Sequence, residues 1–210
     1  MRRQSSAIFS WRLVIRAVQR ARFGILTVAL IYFVSVAIGI IMVHGGSSFA
    51  LSWRDRTVSR AQSSPIVQHY RNGRPMSAAM LDFSGNLFLG GVSSTVVGKW
   101  MTAAPYPIAI YRGWIGGIVS VDRQHTSRLT TPKQAAYFIL VLFLQLIPHS
   151  LAAGAGVNIG LARTHHAPYY QGARWLGIPT EALRDTLRIY VLVVPLFFIA
   201  SLWEFFSTWN

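Results

Sequence analysis

The fold of this protein is decided by residues 23–43, whose sequence is FGILTVALIYFVSVAIGIIMV. The block contains no charged residue, and its length matches the roughly 20 residues that an α-helix needs to cross a hydrocarbon core about 30 Å thick. A surface helix of a water-soluble protein carries charged or polar residues along its exposed face. We therefore interpret residues 23–43 as a transmembrane helix.

Composition extends this interpretation to the whole chain of 210 residues. Hydrophobic residues make up 52% and charged residues 12% of the sequence, whereas charged residues supply about a quarter of an ordinary soluble domain. The charges lie mostly between the apolar blocks. We expect an all-α integral membrane protein with about five transmembrane helices.

Each of the other apolar blocks has a feature of its own. The predicted spans are residues 23–43, 78–98, 106–121, 135–162 and 189–209, with a polar loop at about 44–77. Spans two and three are rich in small residues, so we expect a tight hairpin sheltered by the longer spans. Span four exceeds one straight crossing, and Pro148 near its middle lacks a backbone N–H, so the helix is expected to kink or break there. Pro195 is expected to bend span five.

The segment before the first span combines arginines with apolar residues. Arg12, Arg16 and Arg20 recur every fourth residue and therefore share one helical face, and Arg22 follows them. We predict that residues 1–22 form an amphipathic helix on the membrane surface, with these four arginines among anionic lipid headgroups. A disordered basic tail is the alternative.

The net charge of +14 is the second informative property of the composition. So basic a chain is compatible with nucleic-acid binding. Its arginines, however, flank apolar blocks and form no basic domain interleaved with aromatic residues, so we predict contact with anionic lipids and no nucleic acid. The modest excess of arginine and lysine on the N-terminal side predicts a cytoplasmic N-terminus.

Polar residues at membrane depth usually face the interior of a helix bundle. In this chain they are Asn86, Gln145, His149, Asn158 and Glu204. Our main hypothesis is that His149 pairs with Glu204 and so links spans four and five. The alternative is that each is satisfied separately. Axial ligation of haem or a pigment by His149 is less favoured, because no second histidine lies at a matching depth.

Motifs for catalysis are absent from the sequence. It has no nucleophile elbow, no phosphate-binding loop and no zinc-protease motif, and only six acidic residues. It also has no cysteine, which excludes disulfides and cysteine-ligated metals. We predict that the protein is not an enzyme and holds no cofactor or metal.

Short motifs in the second half of the chain carry a family resemblance. The run LIPH at residues 146–149 is followed by the small-residue run GAG at residues 154–156. In the last span, Pro195 is followed by Ala200 and then by Glu204. The single residues that complete the pattern are Asn86, Gly113 and Gly116. Together these positions resemble the stage II sporulation protein M family.

The resemblance implies a multi-helix protein of the bacterial inner membrane that acts through partners. The chain departs from the family pattern at Ser150, where glycine is common, and at Ala153, where glutamate is frequent. We expect a non-enzymatic membrane scaffold or a subunit of a larger membrane complex, associating with itself or with other membrane proteins. The alternatives are the membrane subunit of a transporter or exporter with a separate ATPase, and an accessory subunit of a respiratory or photosynthetic complex.

Overall fold

Helices dominate the computed structural model, which describes residues 10–164, 169–170 and 172–207. They are α1 (Trp11–His44), α2 (Ser48–Gln62), α3 (Pro65–Arg71), α4 (Pro75–Ser84), a π-helix (Gly85–Val92), α5 (Ser93–Trp100), α6 (Pro105–Ile118), α7 (Pro132–Thr164) and α8 (Thr180–Phe206). A short antiparallel hairpin, β1 (Arg174–Trp175) and β2 (Ile178–Pro179), precedes α8. Helices α1, α7 and α8 are long and apolar enough to cross a membrane. The predicted all-α membrane fold is confirmed.

The first helix begins earlier than the predicted span. α1 is continuous over 34 residues, or about 51 Å at 1.5 Å per residue. Residues 11–22 are thus the first turns of this helix and do not form a separate one, while residues 1–9 lie outside the described part. Ala17 and Ala21 are buried against α7 and α8. The buried face of α1 therefore extends to residues before 22, the position at which the arginines predicted a boundary between two helices.

A π-helix lies within the second predicted span. Residues 75–100 are helical throughout, but Gly85–Val92 adopts the wider π form between α4 and α5. This segment contains Gly85, Gly90 and Gly91, and glycine tolerates irregular backbone more readily than other residues do. The sequence predicted a helix here and gave no indication of the change in helix type.

The short helix α6 runs beside α1 and in the same direction. Gly113 of α6 faces Tyr32 of α1, and Gly117 faces Val36 one turn further on. With 14 residues, α6 measures about 21 Å, less than the hydrocarbon thickness of about 30 Å. Five helical segments (α1, residues 75–100, α6, α7 and α8) thus run alternately up and down, and five membrane crossings remain a prediction.

Helix α7 continues through Pro148 as one helix, so the predicted break is wrong, and a kink at this position stays a prediction. A proline removes a single backbone donor, and neighbouring helices can cover the carbonyl that it frees. Pro148 instead marks a change in environment, since residues 148–160 are all buried whereas residues 139–147 are all partly or fully exposed. Helix α8 is likewise continuous through Pro195 and begins at Thr180, well before the predicted start at residue 189.

The bundle has two distinct ends. The N-terminal end contains the start of α1, the α5–α6 connection and the α7–α8 connection. The loop end contains α2, α3, the loop at residues 119–131 and the end of α8. We use these two names below.

Glycines bring several helices into backbone contact. A methyl group added at Gly39 of α1 would lie 2.6 Å from a carbonyl oxygen of α6, and Gly113 and Gly117 of α6 approach the backbone of α1 as closely. A methyl group added at Gly98 of α5 would lie 2.7 Å from the carbonyl carbon of Gly156 in α7. Such close approach is typical of small residues between membrane helices. We call these two contacts, α1 with α6 and α5 with α7, the glycine seams.

Candidate functional site

A cavity of about 870 Å³ opens at the loop end and extends between α6, α7 and α8. Residues of the 119–131 loop and Tyr70 of α3 surround its mouth. The charged residues along its wall are Arg112, Asp122, Arg128 and Glu204, and the tyrosines are Tyr32, Tyr70, Tyr111 and Tyr137. Charged groups therefore lie both at the mouth and deep in the bundle.

Arg112 and His149 form a hydrogen-bonded pair at the floor of the cavity. Nη1 of Arg112 donates to Nε2 of His149 at 3.0 Å. Because a guanidinium has only donors, Nε2 must act as the acceptor, and the imidazole is neutral with its proton on Nδ1. The ring of His149 also packs edge-on against Phe197, with the two ring centroids 4.7 Å apart. The pair joins α6 to α7 and fixes the direction of both side chains.

Glu204 and Gln145 form a second polar link beside the cavity. Nε2 of Gln145 donates to Oε2 of Glu204 at 3.0 Å. The sequence predicted a direct pair between His149 and Glu204, but the structure gives the two residues different partners. The reason is position along α7, because Gln145, one turn nearer the loop end than His149, is the residue that meets Glu204. Helices α7 and α8 are still linked by polar side chains, through Gln145 instead of His149.

Asp82 of α4 forms a third link. Its Oδ2 accepts from Nδ2 of Asn86 at 3.0 Å and from Oγ of Ser201 at 2.7 Å. Asn86, which the sequence placed in the interior, therefore supports a carboxylate that faces α8.

The π-helix makes room for the floor of the cavity. A methyl group added at Gly90 would lie 2.5 Å from Cε1 of His149 and 3.2 Å from Nη2 of Arg112. Only glycine fits here without moving the pair. Irregular helical turns of this kind often occur at functional sites, and this one contacts the Arg112–His149 pair.

Sequence reasoning missed Arg112. The signal was present, because Arg112 is the one charged residue in the predicted span 106–121, and an arginine at membrane depth is costly unless it has a partner or a water-filled surrounding. Its partner, His149, was predicted to be interior. The pairing itself was not predictable, since it depends on α6 and α7 lying side by side.

A separate polar cluster lies at the N-terminal end. Asp185 is fully buried and binds Nη1 of Arg188 at 2.7 Å and Nε of Arg20 at 3.1 Å. Nδ2 of Asn158 donates to the hydroxyl of Tyr170 at 2.8 Å, and this hydroxyl donates to Asp185 at 3.2 Å. Burial raises the pKa of Tyr170 to about 12, so the phenol keeps its proton. Asn158 thus belongs to this cluster and not to the cavity.

This cluster changes the role predicted for one arginine. Arg12, Arg16 and Arg22 are exposed on α1, and their contact with lipid headgroups stays a prediction. Arg20 instead pairs with Asp185. The difference arises because α8 begins before its predicted start and brings acidic residues beside α1.

Comparison of the chain with protein families, with curated proteins and with solved structures finds no match. Within the part of the chain that the structure describes, no group of three or more histidine, aspartate and glutamate side chains is arranged to hold a metal ion. The geometry of the cavity is therefore the main guide to function.

Proposed function

We propose that this protein is the membrane subunit of a transport assembly, and that its cavity admits a polar or charged ligand from the loop end. The observation that carries the proposal is the reach of the cavity from the 119–131 loop to Arg112 and Glu204 within the bundle. Ionisable residues at membrane depth are expensive and commonly mark a substrate or ion pathway. The irregular turn of the π-helix beside the floor is a further supporting feature.

The chain offers a sharp test because it contains no cysteine. Val141 of α7 lines the cavity, whereas Ile147 on the same helix is exposed on the outside of the bundle and does not line it. We expect Val141→Cys in a lipid bilayer to react with a polar, membrane-impermeant thiol reagent, and Ile147→Cys to remain unmodified. Thr126→Cys at the mouth serves as the positive control.

Equal reaction rates for Val141→Cys and Ile147→Cys would contradict a water-filled cavity. A transport role also requires that solvent reach the floor of the cavity from the N-terminal end of the bundle in another state of the assembly. Reaction of Val141→Cys from both sides during turnover, together with copurification of an ATPase, is the expected result. Reaction from the loop end alone under all conditions would argue against transport.

The orientation belongs to the same proposal. Arginine and lysine are more numerous at the N-terminal end than at the loop end, and cytoplasmic segments carry such an excess. We place the N-terminal end in the cytoplasm of a bacterium, five spans in its inner membrane, and the cavity mouth on the outer side. Labelling of Ser63→Cys, in the exposed connection between α2 and α3, on intact cells tests this arrangement.

The glycine seams favour a second candidate function. Backbone contact fastens α6 to α1 and α5 to α7, and a rigid bundle of this kind suits a non-enzymatic scaffold that assembles with other membrane proteins, as the resemblance to the stage II sporulation protein M family implies. Native mass spectrometry after purification in mild detergent separates the candidates. A stoichiometric partner without an ATPase, combined with one-sided labelling of Val141→Cys, would favour the scaffold.

A further inference from the structure

An apolar groove adjoins the polar cavity. It has a volume of about 380 Å³ and lies between α1 and α7. Side chains of α1, α7 and Leu129 form it, and every residue in its wall is apolar. Phe138 and Leu142 line both the groove and the cavity. The two spaces therefore share a wall.

The groove faces the outside of the bundle. Phe33 of α1 is 56% exposed, and Ile139 and Phe143 of α7 are 48% and 47% exposed. In a protein of this class such side chains lie against the acyl chains of the bilayer. A hydrocarbon chain can therefore enter the groove sideways, without crossing water.

Arg128 is the arginine that lines the mouth of the cavity, and Arg54 lies behind it. Arg54 is almost completely buried below the 119–131 loop. Its Nε donates to the carbonyl of Val121 at 3.3 Å and its Nη1 pairs with Oδ1 of Asp55 at 3.0 Å, whereas its Nη2 has no hydrogen-bond partner among the described residues. Partial burial and the neighbouring charge of Arg54 lower the pKa of Arg128, although a nearby acid opposes them. That acid, Asp122, directs Oδ1 to two N–H groups of its own loop, at 2.9 and 2.8 Å.

We propose that the cavity and the groove together bind one membrane phospholipid, an inference that rests on the proposed function and names its ligand class. The phosphodiester lies at the mouth of the cavity within reach of Arg128, and one acyl chain lies in the groove. Guanidinium groups match phosphate oxygens in geometry and charge. A water-soluble solute would use the cavity alone, whereas an amphiphile uses both spaces across the wall of Phe138 and Leu142.

The test compares three probes on the full-length protein in detergent micelles by native mass spectrometry. Phosphatidylglycerol carries both phosphate and chains, diacylglycerol carries the chains alone, and inorganic phosphate carries neither chain. We expect phosphatidylglycerol to bind at least about tenfold more tightly than either of the others, the difference that one charge-assisted hydrogen bond implies. Equal binding of diacylglycerol or of inorganic phosphate would overturn the proposal.

Two pairs of variants locate the site. Arg128→Gln removes the charge at the mouth, and Arg123→Gln removes an exposed charge from the same loop that does not line the cavity. Ala37→Phe fills the groove, and Ile41→Phe adds the same ring one turn further along α1, where the side chain is 70% exposed. Phosphatidylglycerol binding should fall several-fold in the first member of each pair only. Equal losses within either pair would show that the lipid binds elsewhere.

The result is separable from the proposed function. If Val141→Cys reacts with the polar reagent but no variant changes phosphatidylglycerol binding, the cavity is solvated and the lipid assignment fails alone. If Val141→Cys does not react even in the Ala37→Phe background, where the groove is closed to lipid, the proposed function fails as well.

Discussion

Helices α6 and α7 each belong to two regions of opposite character, the glycine seams and the cavity. Toward α1, helix α6 presents Gly113 and Gly117 in backbone contact, while toward the cavity it presents Arg112 and Gly116. Helix α7 is divided along its length, with its cavity-lining half before Pro148 and its buried, glycine-rich half after it. In α6, Gly113 and Gly117 thus lie where two helices touch, and Arg112 lies where the helices part. Steric tolerance should differ sharply between the two regions.

The largest effect should come from adding one methyl group to the seam. In Gly117→Ala the new Cβ collides with the carbonyl oxygen of Val36 and with Gly39, both backbone groups that cannot rotate away. We expect a loss of about 3 kcal/mol in the free energy of unfolding, the upper range for overpacking. Titration with a denaturing detergent in mixed micelles, followed by circular dichroism, measures it.

The adjacent glycine is the control for this comparison. In Gly116→Ala the only tight contact of the new Cβ is with the end of Leu142, at 3.1 Å, on the wall of the cavity, and its other neighbours lie at 3.8 Å or beyond. A flexible side chain beside an open space can move, so the loss should stay below about 1 kcal/mol. Equal destabilisation by the two variants would mean that seam and cavity do not differ in packing.

The polar cluster at the N-terminal end should give the next largest effect. Arg20→Gln removes one of the two cations that contact buried Asp185, and we expect a loss of about 2 kcal/mol, the value of a hydrogen bond to a charged group. Arg16→Gln changes an exposed residue one turn earlier on α1 and should alter stability by less than about 0.5 kcal/mol. Thermal unfolding of both variants in the same detergent tests the difference.

Coupling at the cavity floor should be smaller and specific to one pair. A double-mutant cycle with His149→Leu and Arg112→Leu should give a coupling energy of about 1 kcal/mol, because the two side chains share a hydrogen bond. A cycle with His149→Leu and Glu204→Leu should give single losses that nearly add. Strong coupling in the second cycle would restore the direct pair that the sequence predicted.

The smallest effect should appear at the surface of the loop end. A hydrogen bond from Arg54 lowers the pKa of Asp55 below its ordinary value of 3.8. A lowered pKa in the folded state stabilises the protein above the unfolded value, and this contribution disappears as the pH falls below 3.8 through the folded value. The carboxylate is half exposed, so the contribution is small. Asp55→Asn should flatten this part of the stability profile; an unchanged profile would leave Asp55 without a role in it.

Much of the fold was predictable because membrane spans obey a simple length rule. Two spans could be predicted by counting consecutive apolar residues. They are the uncharged block at residues 23–43, which corresponds to α1, and the apolar block after residue 135, which corresponds to α7. The rule gives no boundary where a helix extends beyond the hydrocarbon region. For that reason the start of α1 at Trp11 and of α8 at Thr180 was not predicted.

The candidate site was predictable only as a set of residues. His149, Gln145 and Glu204 could be identified because polar side chains within a membrane are costly in free energy. All three lie beside the cavity or at its floor. Their partners depend on which helices are neighbours, which no spacing along the chain reveals. The cavity itself depends on a gap between α6, α7 and α8, and amino-acid composition does not predict where packed helices leave a gap.

The π-helix also constrains how the chain can vary in length. Each residue advances the chain around the axis by a smaller angle in a π-helix than in an α-helix, so Gly85–Val92 sets the rotation of α5 relative to α4. On one side Asp82 accepts from Ser201 of α8, and on the other the hydroxyl of Thr95 donates to the carbonyl of Ala152 in α7 at 2.7 Å. Deleting a single residue between these two anchors would turn one of them away from its partner. An insertion or deletion in this short segment is therefore far more disruptive than one of the same size at Ser63, in the exposed connection between α2 and α3.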